Sequence, residues 1–198
     1  LDHLKRLHIV AGVALGKRGI LGLQLNPRQH QFRHPRGKAQ ARRPDPAAQL
    51  DREVRKLNAF ASAGIPVPRI VLKGDRALVL SDTGTDAHRR LLTLMAAGET
   101  ELAEELVLRI AASLGAVHTA GLCHGRPHPR DMFVAADGRI GYYDFEEEPE
   151  ARMPLADAQA RDVWLLFMQI CATPPKPDTP DKALAAYCET APESILPR

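Results

Sequence analysis

Cysteines and aromatics are both in short supply in this chain. Three cysteines, Cys123, Cys171 and Cys188, lie far apart, show no Cys-x-x-Cys spacing and are odd in number. That excludes a disulfide framework and a cysteine-based zinc site, and it fits reduced thiols in a cytoplasmic protein. Aromatics make up 5% of residues, so the core has to be aliphatic. No apolar run approaches the ~20 residues a membrane-spanning helix needs; the longest, Val163 to Ala172, is interrupted by Gln169. The start lacks the charged, apolar and small-residue succession of a signal peptide. A cytoplasmic location without a transmembrane segment is therefore expected.

What is present is an ordinary globular balance: 198 residues, 44% hydrophobic and 26% charged, with 16 prolines. That length suits one well-cored domain or two small lobes sharing a cleft. The net charge of +3 hides an asymmetry, because residues 1–56 carry 13 Lys and Arg against 4 Asp and Glu, and the remainder 14 against 20. A basic start can meet phosphates or touch an anionic surface peripherally. A nucleic-acid partner is disfavoured, since no aromatics for base stacking accompany the basic run. Six histidines (His3, His8, His30, His34, His88 and His118) show no metal-ligand spacing.

Along the chain, His8 to Leu15 and Ile20 to Leu25 suggest strands joined by a glycine-containing turn, and residues 26–44 a polar loop. Asp45 as N-cap and Pro46 at the first position start a helix; Leu50, Val54, Leu57 and Ala61 continue it, and Gly64 ends it. Ile65-Pro66-Val67-Pro68 is extended, because a proline disfavours a helical predecessor. A hairpin over Arg69 to Leu72 and Ala77 to Ser81 turns at Gly74-Asp75. Helices are predicted over Ala87 to Ala97 and Glu101 to Ala120, the second with Leu102, Leu106, Ile110, Leu114 and Val117 on one face. A polar loop, His124 to Asp131, precedes two short strands, Met132 to Ala135 and Arg139 to Tyr143. A helix over Asp157 to Ala172, a linker to Pro180 and a short helix end the chain. Trp164 is expected in the core, and Glu146-Glu147-Glu148 as a solvated edge.

The chemistry concentrates in His124-Gly125-Arg126-Pro127-His128-Pro129-Arg130-Asp131 and in Asp144-Phe145-Glu146. Phosphoryl transfer needs oxygen ligands converging on Mg²⁺, and a tight hairpin brings Asp131 and Asp144 towards one point. These motifs resemble the protein-kinase-like superfamily, and within it the bacterial kinases of lipopolysaccharide sugars and small molecules and the Rio-type kinases. Their catalytic loop runs His-Gly-Asp-Leu-His-Pro-x-Asn, followed by a strand ending in Asp-Phe-Gly or Asp-Phe-Glu. His124, Gly125, His128 and Pro129 match, Asp131 stands for the metal-binding Asn, and Asp144-Phe145-Glu146 for the second metal motif. The likeness extends from about Gln49 to Ala172: Glu53 resembles the helix glutamate that pairs with a strand lysine, and Arg161-Asp162-Val163-Trp164 the helix whose aspartate braces the loop.

The resemblance implies an α+β, two-lobe fold: a small divergent N-terminal lobe over 1–82 and a mainly helical C-terminal lobe over 83–198. It implies ATP and Mg²⁺ as cofactors and a hydroxyl acceptor, a lipopolysaccharide sugar or another small molecule. Asp131 and Asp144 would hold metal, Glu53 and Lys38 would serve the nucleotide, and His124 and Asp162 would support the loop. Arg126 stands where the catalytic aspartate belongs, and a guanidinium does not accept a proton. Either Arg126 contacts a phosphate while His128 or Asp131 takes the proton, or the domain is a pseudokinase that binds nucleotide or partners. Neither Lys17 nor Lys38 sits in a convincing strand motif. Gly12, Gly16, Gly19 and Gly22 do not form a phosphate-covering loop.

Overall fold

The computed structural model describes residues 7–11, 46–75 and 77–195. The expected second strand, the polar loop, the Asp45 cap, Lys17 and Lys38 lie outside them, as does most of the basic N-terminal segment. Helix α1 covers Pro46–Ser62, and its buried residues Leu50, Glu53, Lys56, Leu57 and Phe60 recur at helical spacing. It ends as the sequence predicts: Ile65 N–H donates back to Phe60 O at 3.0 Å across Gly64, whose φ is +74°.

Three strands, β1 (Leu7–Ala11), β2 (Ile70–Lys73) and β3 (Ala77–Ser81), form an antiparallel sheet in the order β1-β3-β2. The β2–β3 hairpin is the predicted one, with a register shift between Ile70 and Leu72. In β3 the alternation places Leu78 and Leu80 inward, in the same apolar cluster as α1.

The rest is mainly helical: α2 (Ala87–Ala96), α3 (Thr100–Thr119), α4 (Leu155–Ala172) and α5 (Thr179–Cys188). Asp86 caps α2 by accepting from Arg89 N–H at 2.8 Å. Helix α3 is the spine of this part, burying Leu106, Ile110, Leu114 and Val117 as expected. Leu102 is 49% exposed, and Ala103 takes the inward position at that end. Helix α5 packs on α3 and already begins at Thr179, because Pro180 fits a first helical turn. The antiparallel ribbon β4 (Met132–Val134) and β5 (Ile140–Tyr142) follows α3 and joins the helical part to the first, with Tyr142 N–H donating to Pro66 O at 2.9 Å.

The fold is thus α+β, with five helices and two small antiparallel sheets among the described residues. No described helix is long and apolar enough to cross a membrane. A second packing expectation fails. Trp164 is 63% exposed, because Leu166 and Ile170 set the inward face of α4 and position 164 falls outside it.

Candidate functional site

The loop between α3 and β4 is fixed from beneath by one carboxylate. Asp162, fully buried on α4, accepts His124 N–H at 2.5 Å and Gly125 N–H at 2.9 Å. His118 Nε2 lies 3.5 Å from the same carboxylate, and His118 Nδ1 meets Tyr187 OH at 2.8 Å, which ties α3, α4 and α5 together. Asp162 therefore anchors the loop backbone at His124 and Gly125.

Gly125 has φ +103°, and a Cβ there would stand 2.5 Å from Glu147 O. Only glycine lets the segment after Asp144 approach the loop this closely. His124 is buried with its ring near Tyr142 and Phe145, and its Nε2 lies 3.2 Å from Tyr143 O. Burial lowers its pKa to about 4. It is a neutral structural imidazole.

A second clamp was not read from the sequence. Lys56, 5% exposed, donates from Nζ to Cys123 O, His124 O and Glu147 O, each at 3.1 Å, and pairs with Glu150 at 2.8 Å. One buried ammonium thus joins α1 to the loop and to the segment beyond Asp144. Its one trace in the sequence is its place on the same helical face as Leu50, Glu53, Leu57 and Phe60. Cys123 Sγ lies 3.0 Å from Glu150 Oε2, and burial pushes its thiol up, which keeps it unreactive.

Above this floor sit the carboxylates. A 3-10 turn, Pro129–Asp131, leads into β4, and Tyr143 N–H donates to Asp131 O at 3.0 Å. The backbone of Asp131 is therefore bonded to the residue preceding Asp144. Asp144 itself has φ +64°, a sparsely occupied conformation for a residue with a side chain. Glu53 reaches in from α1, where its Oε2 accepts Phe145 N–H at 2.7 Å. Its Oε1 is buried and finds no partner among the described residues.

Burial, then repulsion by Asp144, pushes the Glu53 carboxyl up to about 7. The same two causes in the same order raise Asp131 to about 7. Asp144 is raised by burial and by Glu146, and Arg126 opposes this. These groups form one electrostatic unit with more negative charge than the described residues neutralise.

Arg126 donates from Nη2 to Glu146 Oε2 at the exposed side of this unit. His128 faces another way: its Nδ1 accepts Arg130 N–H at 3.0 Å, and it lines a pocket together with Gln169. Its ring meets His88 of α2 at this 210 Å³ pocket. The acidic run 146–148, expected as a solvated edge, is partly exposed but ion-paired throughout. Glu146 pairs with Arg126, Glu147 with Arg161 at 2.5 Å, and Glu148 with Arg55 at 2.6 Å. It fastens the loop, α4 and α1 to one strip of chain.

Among the described residues no group of three or more His, Cys, Asp or Glu is arranged to hold a metal ion. Asp131 and Asp144 are two hard oxygen donors, a set that suits Mg²⁺ when phosphate oxygens and water complete its shell and does not suit a resident all-protein site. The unpartnered Glu53 Oε1 fits a cation brought from outside this donor set. Comparison with protein-family models and with curated proteins returned no match.

Proposed function

We propose that this chain is an ATP- and magnesium-dependent phosphotransferase of protein-kinase-like, two-lobe type acting on a hydroxyl acceptor. A lipopolysaccharide sugar or another small molecule is the acceptor class the motifs suggest. One observation carries the reading. Asp131 and Asp144 are joined through the Tyr143 N–H to Asp131 O bond, and both carboxyls are raised by burial and by neighbouring negative charge. Carboxylates strained in this way are characteristic of sites that await a cation.

In this reading Asp144 and Asp131 hold the metal, which neutralises charge on the transferring phosphate. Glu53 offers its free oxygen to a lysine that contacts the other phosphates, with Lys38 the residue named for that part. Asp162 and Lys56 fix the loop, and so set the positions on which catalysis by orientation depends. Were Asp144 to carry the metal alone, Asp131 would be left as the carboxylate to accept the hydroxyl proton.

A second reading has its own observation. Arg126 stands where a proton acceptor is needed and is ion-paired with Glu146, which favours a nucleotide-binding module without turnover.

Thermal melting with and without MgATP, on wild type and Asp144→Ala, tests the first reading. A metal-dependent rise that vanishes in the variant supports the nucleotide site, and ATP turnover then separates enzyme from binding module. No rise at millimolar MgATP refutes both readings.

A further inference from the structure

The backbone just before Arg126 is pinned at Gly125, while the Arg126 side chain is held by one exposed ion pair. Gly125 N–H is held by Asp162, and Gly125 O accepts from Arg161 Nη1. The Arg126 side chain is 47% exposed and that of its partner Glu146 55%. An ion pair this open to water shifts an equilibrium by no more than about fivefold. Arg126 also lies in the field of both Asp131 and Asp144, drawing each carboxyl down against its burial. A cation held by one exposed ion pair therefore stands beside a carboxylate cluster. Glu53, 6% exposed with Oε1 unpartnered, independently marks that cluster as short of positive charge.

Glu146 offers the guanidinium a single charge and, in this structure, one of its oxygens. A terminal phosphate offers greater charge and several oxygens, in the geometry that the planar guanidinium fork matches. Resting on the nucleotide reading above, we propose that Arg126 grips the terminal phosphate of the bound nucleoside triphosphate, and that Glu146 holds the guanidinium until the nucleotide displaces it. The residue that replaces a proton acceptor then acts as a charge stabiliser supplied in cis. The site consequently discriminates triphosphate from diphosphate, and Glu146, by competing for the guanidinium, lowers its affinity for the triphosphate.

Calorimetric titration of the full chain with MgATP and with MgADP tests this. Wild type is expected to bind MgATP more tightly. Arg126→Ala should lose roughly tenfold or more in MgATP affinity, the worth of a charge-assisted hydrogen bond, with MgADP affinity nearly unchanged. Glu146→Gln should bind MgATP about two- to fivefold more tightly than wild type, the gain from releasing an exposed ion pair. The double variant should match Arg126→Ala.

Retention of the ATP-over-ADP preference in Arg126→Ala overturns the proposal, as does unchanged MgATP affinity in Glu146→Gln. Equal binding of the two nucleotides by wild type does the same, while leaving the nucleotide site standing. Wild type that binds neither nucleotide overturns the nucleotide reading and this inference with it. If circular dichroism shows that Arg126→Ala does not fold, Glu146→Gln decides alone.

Discussion

Replacing Glu53 by glutamine turns the electrostatics of the site into a stability measurement. Glutamine keeps the shape and still accepts Phe145 N–H, but it cannot ionise. Burial and Asp144 raise the Glu53 carboxyl from 4.5 to about 7 in the folded protein. The folded state therefore holds this proton more tightly than the unfolded chain does. Its stabilising contribution is complete below about pH 4.5 and is lost as pH rises through about 7. At ~1.4 kcal/mol per pH unit, the full loss is on the order of 3 kcal/mol, with most of it felt by pH 8 and under about 1 kcal/mol at pH 5.

Urea unfolding of wild type and Glu53→Gln at pH 5, 6, 7 and 8 reads the difference between them, which cancels other titrating groups. The two should be nearly equal at pH 5, and the variant should lead by about 2–3 kcal/mol at pH 8. A variant that is less stable than wild type at pH 8 would refute the reasoning. It would mean that the carboxylate is paired with a cation in the free protein, as a lysine from outside the described residues would achieve.

Other substitutions test separate parts of the argument. Lys56→Ala leaves three carbonyls and Glu150 without their shared cation, and should cost roughly 3–5 kcal/mol in urea unfolding. Asp162→Ala strips the acceptor from two buried loop N–H groups, and a loss of about 2–5 kcal/mol is expected by the same assay. Gly125→Ala combines a left-handed backbone with overlap against Glu147 O, so thermal melting should show at least about 2 kcal/mol of destabilisation. Trp164→Gln should change stability by less than about 0.5 kcal/mol, since the ring is largely in water; a large loss would put the ring back in the core.

Much of the architecture could be read from periodicity and punctuation. Pro46 and Gly64 bracket α1, the Gly74-Asp75 turn sets the hairpin, and the apolar face of α3 follows its leucines, because local residues decide these features. That Asp131 and the end of β5 next to Asp144 lie side by side was legible because a tight ribbon separates them. Lys56 was not, since a lysine on an apolar face reads as a cost until its four partners, which lie 67 or more residues further on, are seen around it. The ion pairs of Glu147 and Glu148 were hidden in the same way, while Trp164 was misplaced because an apolar helix invites every large side chain inward. Arg126 was legible as a departure from a motif, but its tie to Glu146 depends on how the segment after Asp144 folds back.

The buried ammonium of Lys56 also bears on the order in which the chain assembles. Its backbone contacts close loops of 67, 68 and 91 residues. Closing loops of that length is entropically costly, whereas α3 and the β4–β5 ribbon need only local contacts. The helical part is therefore expected to form first, and the carboxylate site to lock last, when α1 docks. A lesion at Lys56 should in consequence hasten unfolding while leaving the refolding rate almost unchanged, a signature that stopped-flow chevrons would register. The carboxylate cluster would then be the last feature gained on folding and the first surrendered on unfolding.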